Sequence, residues 1–259
     1  MFFYYYDAFV SDKKNEEELT KAENRLITLG INGRIEKSSV LRNAKESIED
    51  GIKQGAHTII AVGDDNTLTK VVNIAAEKNV TIGFIPMIKN SKFAEILGIA
   101  DSLEACNILS KRLTKKINLG KANLNYFLAS LNLPQSDGLQ IECDEKFKIS
   151  LRHHNCKLSI YNLGNFLIAS KREDWKLFPG RSNHLFVSIL PQSKKKFGGL
   201  VRTSNQERES IFPAKKIKIT SPDISAPVIL DEQTTLKTPV TVSFKPKKIT
   251  FIVGRNRKI

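Results

Sequence analysis

Sulphur, tryptophan and histidine are scarce in this chain: three cysteines, two methionines, one tryptophan and four histidines among 259 residues. Cys106, Cys143 and Cys156 are odd in number and share no ligand spacing. That argues against a disulfide framework and a thiolate metal cluster, and suits a reducing cytoplasm. Structural burial is the plain expectation for all three. His153 and His154 are adjacent, so on a strand they point to opposite faces and cannot share a metal without a bulge. Neither that pair nor His57 or His184 makes a metal-spacing motif, and Trp175 among its charged neighbours reads as a loop anchor. Long apolar runs are missing too. None reaches the roughly 18 residues that a membrane span needs. The opening MFFYYYDAFV has no basic n-region and no small-residue cleavage site, so it reads as a buried first strand and not as a signal peptide. The expected location is cytoplasmic, with peripheral attachment to a membrane open.

Positive charge, in contrast, is abundant. Lysine and arginine number 41 against 27 acidic residues, a net charge of +14. Runs occur at Lys194, Lys195 and Lys196, at Lys215, Lys216 and Lys218, at Lys245, Lys247 and Lys248, and at Arg255, Arg257 and Lys258, all in the second half. Such an excess favours anionic partners: phospholipid headgroups, nucleotides or nucleic acid. The plainer reading of any one run is a solvated, solubilising surface. The runs are not interleaved with aromatic residues and no nucleic-acid motif is present, which argues against nucleic acid. An anionic membrane surface or lipid, and a nucleotide, are the partners left.

The first half alternates strand and helix patterns. Leu19, Ala22, Leu26 and Leu29 share one face of a helix over 16–29, and Gly30 follows where a helix end favours a left-handed residue. Ala44, Ile48 and Ile52 mark a second helix, and Leu68, Val71, Val72 and Ala75 a third. Residues 57–62 and 80–85 are continuous apolar strands, as when both faces of a parallel sheet are covered. Asp101 and Glu104 have capping-box spacing ahead of Leu103, Cys106, Leu109 and Leu113. From Ile117 the texture changes to short alternating runs such as FKISLR, AKKIKIT and TPVTVSF, separated by turn residues, an antiparallel pattern. The lysine-, serine- and asparagine-rich stretch 192–209 reads as an exposed loop. The expected fold class is therefore α/β plus all-β. A mainly parallel α/β domain over 1–116 is followed by an antiparallel β-sandwich over 117–259, whose last strand is free to return to the first domain.

The stretch 59–99, IIAVGDDNTLTKVVNIAAEKNVTIGFIPMIKNSKFAEILGI, places two tight polar turns at the carboxyl ends of parallel strands, where such sheets bind ligands. It resembles the two nucleotide-phosphate loops of the diacylglycerol kinase catalytic family, which includes bacterial lipid kinases and sphingosine kinases. There the first loop is G-G-D-G-T, and the second follows an I-P pair as G-T-G-N, then F-A and L-G-I. Later pieces fall in the family's order: INLG at 117–120, NYF at 125–127, NHLFV at 183–187, and ILDEQ at 229–233 ahead of TPVTV. The resemblance covers nearly the whole chain. It implies an α/β nucleotide domain joined to a β-sandwich, and transfer of the ATP γ-phosphate, with Mg²⁺, to a lipid hydroxyl such as that of diacylglycerol.

Residue by residue, the resemblance makes Gly63, Asn66 and Thr67 candidate phosphate ligands, Asp65 the Mg²⁺ ligand, and Asp231 the general base at the aspartate of the family's D-G-E. Asp64 and Asn66 replace loop glycines, and only a bare backbone approaches phosphate closely with positive φ. Asn66 tolerates the left-handed region. Asp64 adds an anion to the nucleotide loop, where a bridging divalent cation would invert its effect. Asp64 and Asp65 read equally as an Asx-type turn that caps the next helix. In the second loop Ile88, Lys89, Asn90 and Ser91 stand at G-T-G-N. Lys89 and Asn90 are candidate nucleotide contacts, with Lys92 close by. Lys70 replaces an acidic residue of the pattern, Gln233 replaces the glutamate of D-G-E, and Tyr6-Asp7 stands in place of a first-strand N-P. Three functions follow: a divergent lipid kinase, a non-catalytic lipid- or nucleotide-binding relative, and an NAD kinase-like enzyme, whose family shares the G-G-D-G-T loop.

Overall fold

A computed structural model describes residues 1–39, 42–134, 138–151, 156–162, 183–191, 209–221 and 225–258, except for the side chains of 246–248. His153, His154, Trp175, the Lys194 to Lys196 run, most of the 192–209 stretch and the side chains of Lys247 and Lys248 lie outside the described residues. Two compact units divide the chain. One comprises Met1–Ile117 and Lys247–Ile259, the other Asn118–Pro246.

The first unit is a parallel sheet wrapped by helices. Its strands are β1 (Phe2–Tyr6), β2 (Gly33–Lys37), β3 (Thr58–Gly63), β4 (Thr81–Pro86) and the end of β16 (Val240–Ile252), in the order β2-β1-β3-β4-β16. Every described pairing among them is parallel. All five residues of β1 are buried, which is why FFYYY carries no alternation. Helices α1 (Glu16–Thr28), α2 (Ala44–Lys53), α3 (Asp65–Ala75), α4 (Lys92–Leu97) and α5 (Ser102–Lys111) supply the crossovers. In α3 Leu68, Val71, Val72 and Ala75 are all buried, as their spacing predicts.

Two helical faces differ from expectation. In α2 the buried stripe is Ser47, Ile48 and Gly51, not Ala44, Ile48 and Ile52. Gly51 lies against the Phe3 ring, where an added Cβ would sit 2.6 Å from two ring carbons. An aromatic knob thus selects a glycine that a scan for apolar residues ignores. In α5 the buried residues are Ser102, Ala105, Cys106, Ile108 and Leu109, while Leu103 and Leu113 are exposed. Leu103 is one residue, about 100° of helix, past Ser102. Leu113 follows Arg112, whose φ of 51° ends the helical phase. The Asp101 cap is present: its carboxylate accepts from the Glu104 N–H at 2.7 Å.

The second unit is a sandwich of antiparallel sheets. One sheet contains the start of β16, β13 (Lys216–Thr220), β8 (Gln140–Cys143) and β9 (Phe147–Ser150) in that order. A hairpin of β5 (Thr114–Ala122) and β6 (Asn125–Phe127) adjoins it, β5 pairing with β16. The other runs β12 (Ser210–Ala214), β11 (Leu185–Pro191), β10 (Cys156–Tyr161), β7 (Ser130–Leu133), β14 (Pro227–Leu230) and β15 (Thr234–Lys237). Alternate residues from both sheets, among them Ile141, Ile217, Val242, Leu131, Leu158 and Val228, form one apolar core. The fold is α/β plus all-β. The three cysteines are free and buried. Burial pushes the thiols of Cys106 and Cys143 up to about 11, so both are inert as nucleophiles.

Candidate functional site

The first loop leaves β3 at Gly63 and enters α3 at Asp65, with Asp64 as its N-cap. Asp64 Oδ1 accepts from the Thr67 N–H and lies within reach of the Thr67 hydroxyl, both at 2.8 Å. The Asp64 N–H returns to Thr67 Oγ1 at 3.3 Å, closing a capping box. Gly63 makes this possible, because a Cβ there would fall 2.4 Å from Thr67 Oγ1. Asp7, at the carboxyl end of β1, brings its Oδ2 to 3.0 Å from the same hydroxyl, and Lys70 Nζ lies 3.3 Å from that oxygen. Thr67 has one hydroxyl proton for two carboxylates and can donate to only one at a time. The N–H groups of Asp65 and Asn66, first in α3, have no acceptor among the described residues.

Asp65 points away from this cluster. Its Oδ1 accepts from the Ser91 hydroxyl and its Oδ2 from the Lys92 N–H at 3.0 Å. Ser91 in turn caps α4, its Oγ accepting from the Ala94 N–H at 3.0 Å. The Met87 N–H to Gly63 carbonyl bond, 2.7 Å, joins the two turns again. Burial, the largest influence, raises the Asp65 carboxyl above its ordinary pKa. The Ser91, Lys92 and Phe93 hydrogen bonds oppose this, and the Asp64 charge adds to it. Lys89 and Asn90 are exposed, Asn90 in the left-handed region at φ 60°. Neither makes a hydrogen bond or ion pair to Gly63, Asp64, Asn66 or Thr67 among the described residues.

In the second unit Asp231 occupies the turn after β14 with φ 48°. Its buried carboxylate accepts from three successive backbone N–H groups: Leu128 to Oδ2 at 2.7 Å, and Ala129 and Ser130 to Oδ1 at 2.8 and 2.9 Å. Asn162 grips the same turn from its carbonyl side. Its Nδ2 donates to Leu128 O at 2.9 Å and Asn118 O at 2.8 Å, and its N–H donates to Ala129 O at 2.9 Å. Glu232, also at positive φ, and Gln233 complete the turn, and the Gln233 N–H donates to Leu230 O at 2.9 Å.

Residues 6–122 match the model of the diacylglycerol kinase catalytic domain. That span, a little under half of the chain, is similar to the family. A diacylglycerol kinase of Staphylococcus haemolyticus (strain JCSC1435) is 35% identical over 83 residues, which cover 31% of this chain and 25% of that protein. The chain thus spans about a quarter of that relative's length in the match. A diacylglycerol kinase from Bacillus anthracis str. Sterne has the same fold, with a TM-score of 0.71, 17% identity and coverage of 98% of this chain and 97% of that one. An NAD kinase from Archaeoglobus fulgidus in complex with ATP is also similar, with a TM-score of 0.58, 12% identity and coverage of 99% and 95%. No helix among the described residues is long and apolar enough to cross a membrane.

Within the diacylglycerol kinase family frame, the structure brings Gly63, Asp64 and Thr67 into one hydrogen-bonded turn and joins Asp65 to the second loop through Ser91. Sequence reasoning missed Asp7, Ser91 and Asn162 as members of these networks. Asp7 had a signal, being the first polar residue after a fully buried parallel strand, at the sheet's ligand edge. Ser91 had another, a cap residue three positions before Ala94. Asn162 had none. Among the described residues no three His, Cys, Asp or Glu side chains gather to hold a metal by themselves. Magnesium needs no such cage, since one or two carboxylates plus substrate phosphates suffice. The two carboxylates that share the Thr67 proton fit that demand, and Asp64 Oδ2 and Asp7 Oδ1 are committed to no hydrogen bond among the described residues.

Proposed function

We propose that this protein is an ATP-dependent lipid kinase that takes its nucleotide only together with a divalent cation. The transfer is of the γ-phosphate to a lipid hydroxyl, such as that of diacylglycerol, at an anionic membrane surface. The carrying observation is the first loop. The N–H groups of Asp65 and Asn66, which have no acceptor among the described residues, offer donors for phosphate, beside two carboxylates, Asp7 and Asp64, that converge on one proton. Lys70 pairs with Asp7, so without a further cation the triphosphate meets the Asp64 carboxylate, which makes no ion pair among the described residues. Asp64 and Asp7 are the residues that would hold Mg²⁺, which when bound would supply the neutralising charge that phosphoryl transfer requires. The residues of the chain then bind and orient: Asn66 and the α3 N-terminus at phosphate, Lys89 and Asn90 at its flank, and Asp231 as the acceptor of the lipid hydroxyl proton.

A non-catalytic lipid- or nucleotide-binding relative is the second reading, and one observation favours it. Asp231 already serves three N–H donors, and its neighbour Gln233 is a neutral amide where the family has a glutamate. Calorimetric titration with ATP separates the two. The kinase reading expects binding with Mg²⁺ and very weak binding without it. At an effective dielectric near 20, charges about 5 Å apart repel by roughly 3 kcal/mol, over a hundredfold in affinity. Asp64→Gly should therefore strengthen metal-free binding. A protein that binds no nucleotide at millimolar ATP and Mg²⁺, even as Asp64→Gly, is the non-catalytic relative.

A further inference from the structure

Asp65 is buried, and each of its carboxylate oxygens is bonded to the second loop. A residue that binds Mg²⁺ directly must present at least one oxygen to the metal. Each oxygen can accept more than one bond, but here Ser91 holds one and the Lys92 N–H the other, with the Phe93 N–H adding to them. This buried carboxylate is thus engaged by the second loop and not by the Asp64–Thr67–Asp7 cluster proposed for the cation. Asp65 begins α3, while Ser91 caps α4 and follows Lys89 and Asn90 directly. The carboxylate therefore fastens the start of one helix to the start of the next.

We propose that Asp65 is a positioning residue, a latch that sets the Lys89–Asn90 turn against the Asn66–Thr67 turn, and that it is not a metal ligand. The latch is part of the nucleotide site proposed above and rests on that reading for its effect on ATP. Its partner is Ser91, whose hydroxyl can donate to Asp65 or turn to accept from an amide. That freedom makes the two roles separable. Asp65→Asn keeps an oxygen for the Lys92 N–H and gives an NH₂ to Ser91 Oγ, so the latch closes. A metal ligand loses its charge in the same substitution.

The test compares Asp65→Asn, Asp65→Ala and Ser91→Ala by ATP titration across a Mg²⁺ series, and by backbone hydrogen exchange without nucleotide. Asp65→Asn should weaken Mg²⁺-dependent ATP binding by no more than about threefold. Asp65→Ala should lose roughly tenfold or more, the scale of a charged hydrogen bond broken in a buried site. Ser91→Ala should follow Asp65→Ala in direction, and the double variant should be little worse than Asp65→Ala alone. Exchange at the Lys92 and Phe93 amides should accelerate in Asp65→Ala and stay near wild type in Asp65→Asn, whether or not ATP binds. If Asp65→Asn is as damaging as Asp65→Ala and raises the Mg²⁺ requirement, Asp65 is a metal ligand and the latch is wrong. Unchanged protection of Lys92 and Phe93 in Asp65→Ala also overturns it. A wild type that ignores ATP removes the kinase reading alone, since the exchange result still decides the latch.

Discussion

Asp64 and Asp65 are neighbours in sequence with different surroundings. Asp64 is half-buried and turned into its own capping box, while Asp65 is buried and turned into the next loop. The raised Asp65 carboxyl has a thermodynamic consequence. The folded protein holds this proton more tightly than the unfolded chain, so ionising Asp65 costs stability as pH rises out of the ordinary carboxyl range near about 4. That cost is fully present above the folded pKa and is relieved as pH falls below the unfolded one. Asp65→Asn has no such proton. Urea unfolding from acid to neutral pH should show the variant gaining on wild type as pH rises, and a constant offset would refute this assignment. Asp231 offers the opposite test. Its carboxylate serves three backbone donors, and an amide there turns an NH₂ toward one of them. Asp231→Asn should cost about 1–3 kcal/mol of unfolding free energy, besides any effect on phosphoryl transfer. A variant with unchanged stability would show that these bonds contribute nothing net. Both roles were hard to read in the sequence, because DD and LDEQ specify turn formers but not the distant N–H groups that they serve. Ser91 lies 26 residues from Asp65, and Leu128 lies 103 from Asp231.

Elements were more legible where the pattern is set by solvent and less so where one neighbour decides it. The apolar strands β1, β3 and β4 and the inner face of α3 follow from burial on both sides of a parallel sheet. The face of α2 does not, because Gly51 is buried against Phe3 on a side of the helix that an apolar pattern does not mark. Helix propensity alone would make Gly51→Ala stabilising by about 1 kcal/mol. A Cβ 2.6 Å from two carbons of a fully buried ring must instead displace that ring or the helix. Overpacking of this kind costs about 1–3 kcal/mol, so the net effect should be loss of stability. A higher urea midpoint for Gly51→Ala would show that α2 slides away from β1 without penalty. The last segment of the chain is held by similar close packing. Gly254 lies against the Gly98 carbonyl at the end of α4, and the Gly254 and Lys258 N–H groups bond to Leu97 and Ile96 carbonyls at 2.8 and 2.9 Å.

At the scale of the molecule, the switch from helical periodicity to alternation near Ile117 was plain, because it reflects two different ways of burying a face. The destination of the lysines was not, since a run such as AKKIKIT does not say which side of a sheet faces water. The register answers this for β13. Ile217 and Ile219 enter the sandwich core, while Lys216 and Lys218 point outward and Lys148 lies on the same outer face across Glu142. These cations are not equivalent. Lys216 is paired with Glu145 at 2.6 Å and Lys148 with Glu142 at 3.5 Å, whereas Lys218 makes no ion pair among the described residues. If this face meets an anionic bilayer, an unpaired lysine contributes about 1 kcal/mol and a paired one less. Lys218→Gln should then weaken binding to phosphatidylglycerol vesicles about fivefold, and more than Lys216→Gln does. Co-sedimentation of wild type should rise with phosphatidylglycerol content and fall steeply as salt shortens the Debye length below roughly 10 Å. Equal recovery on neutral and anionic vesicles would dissociate the net charge of +14 from any membrane role. Binding to anionic vesicles that both substitutions leave untouched would move the contact to another basic surface.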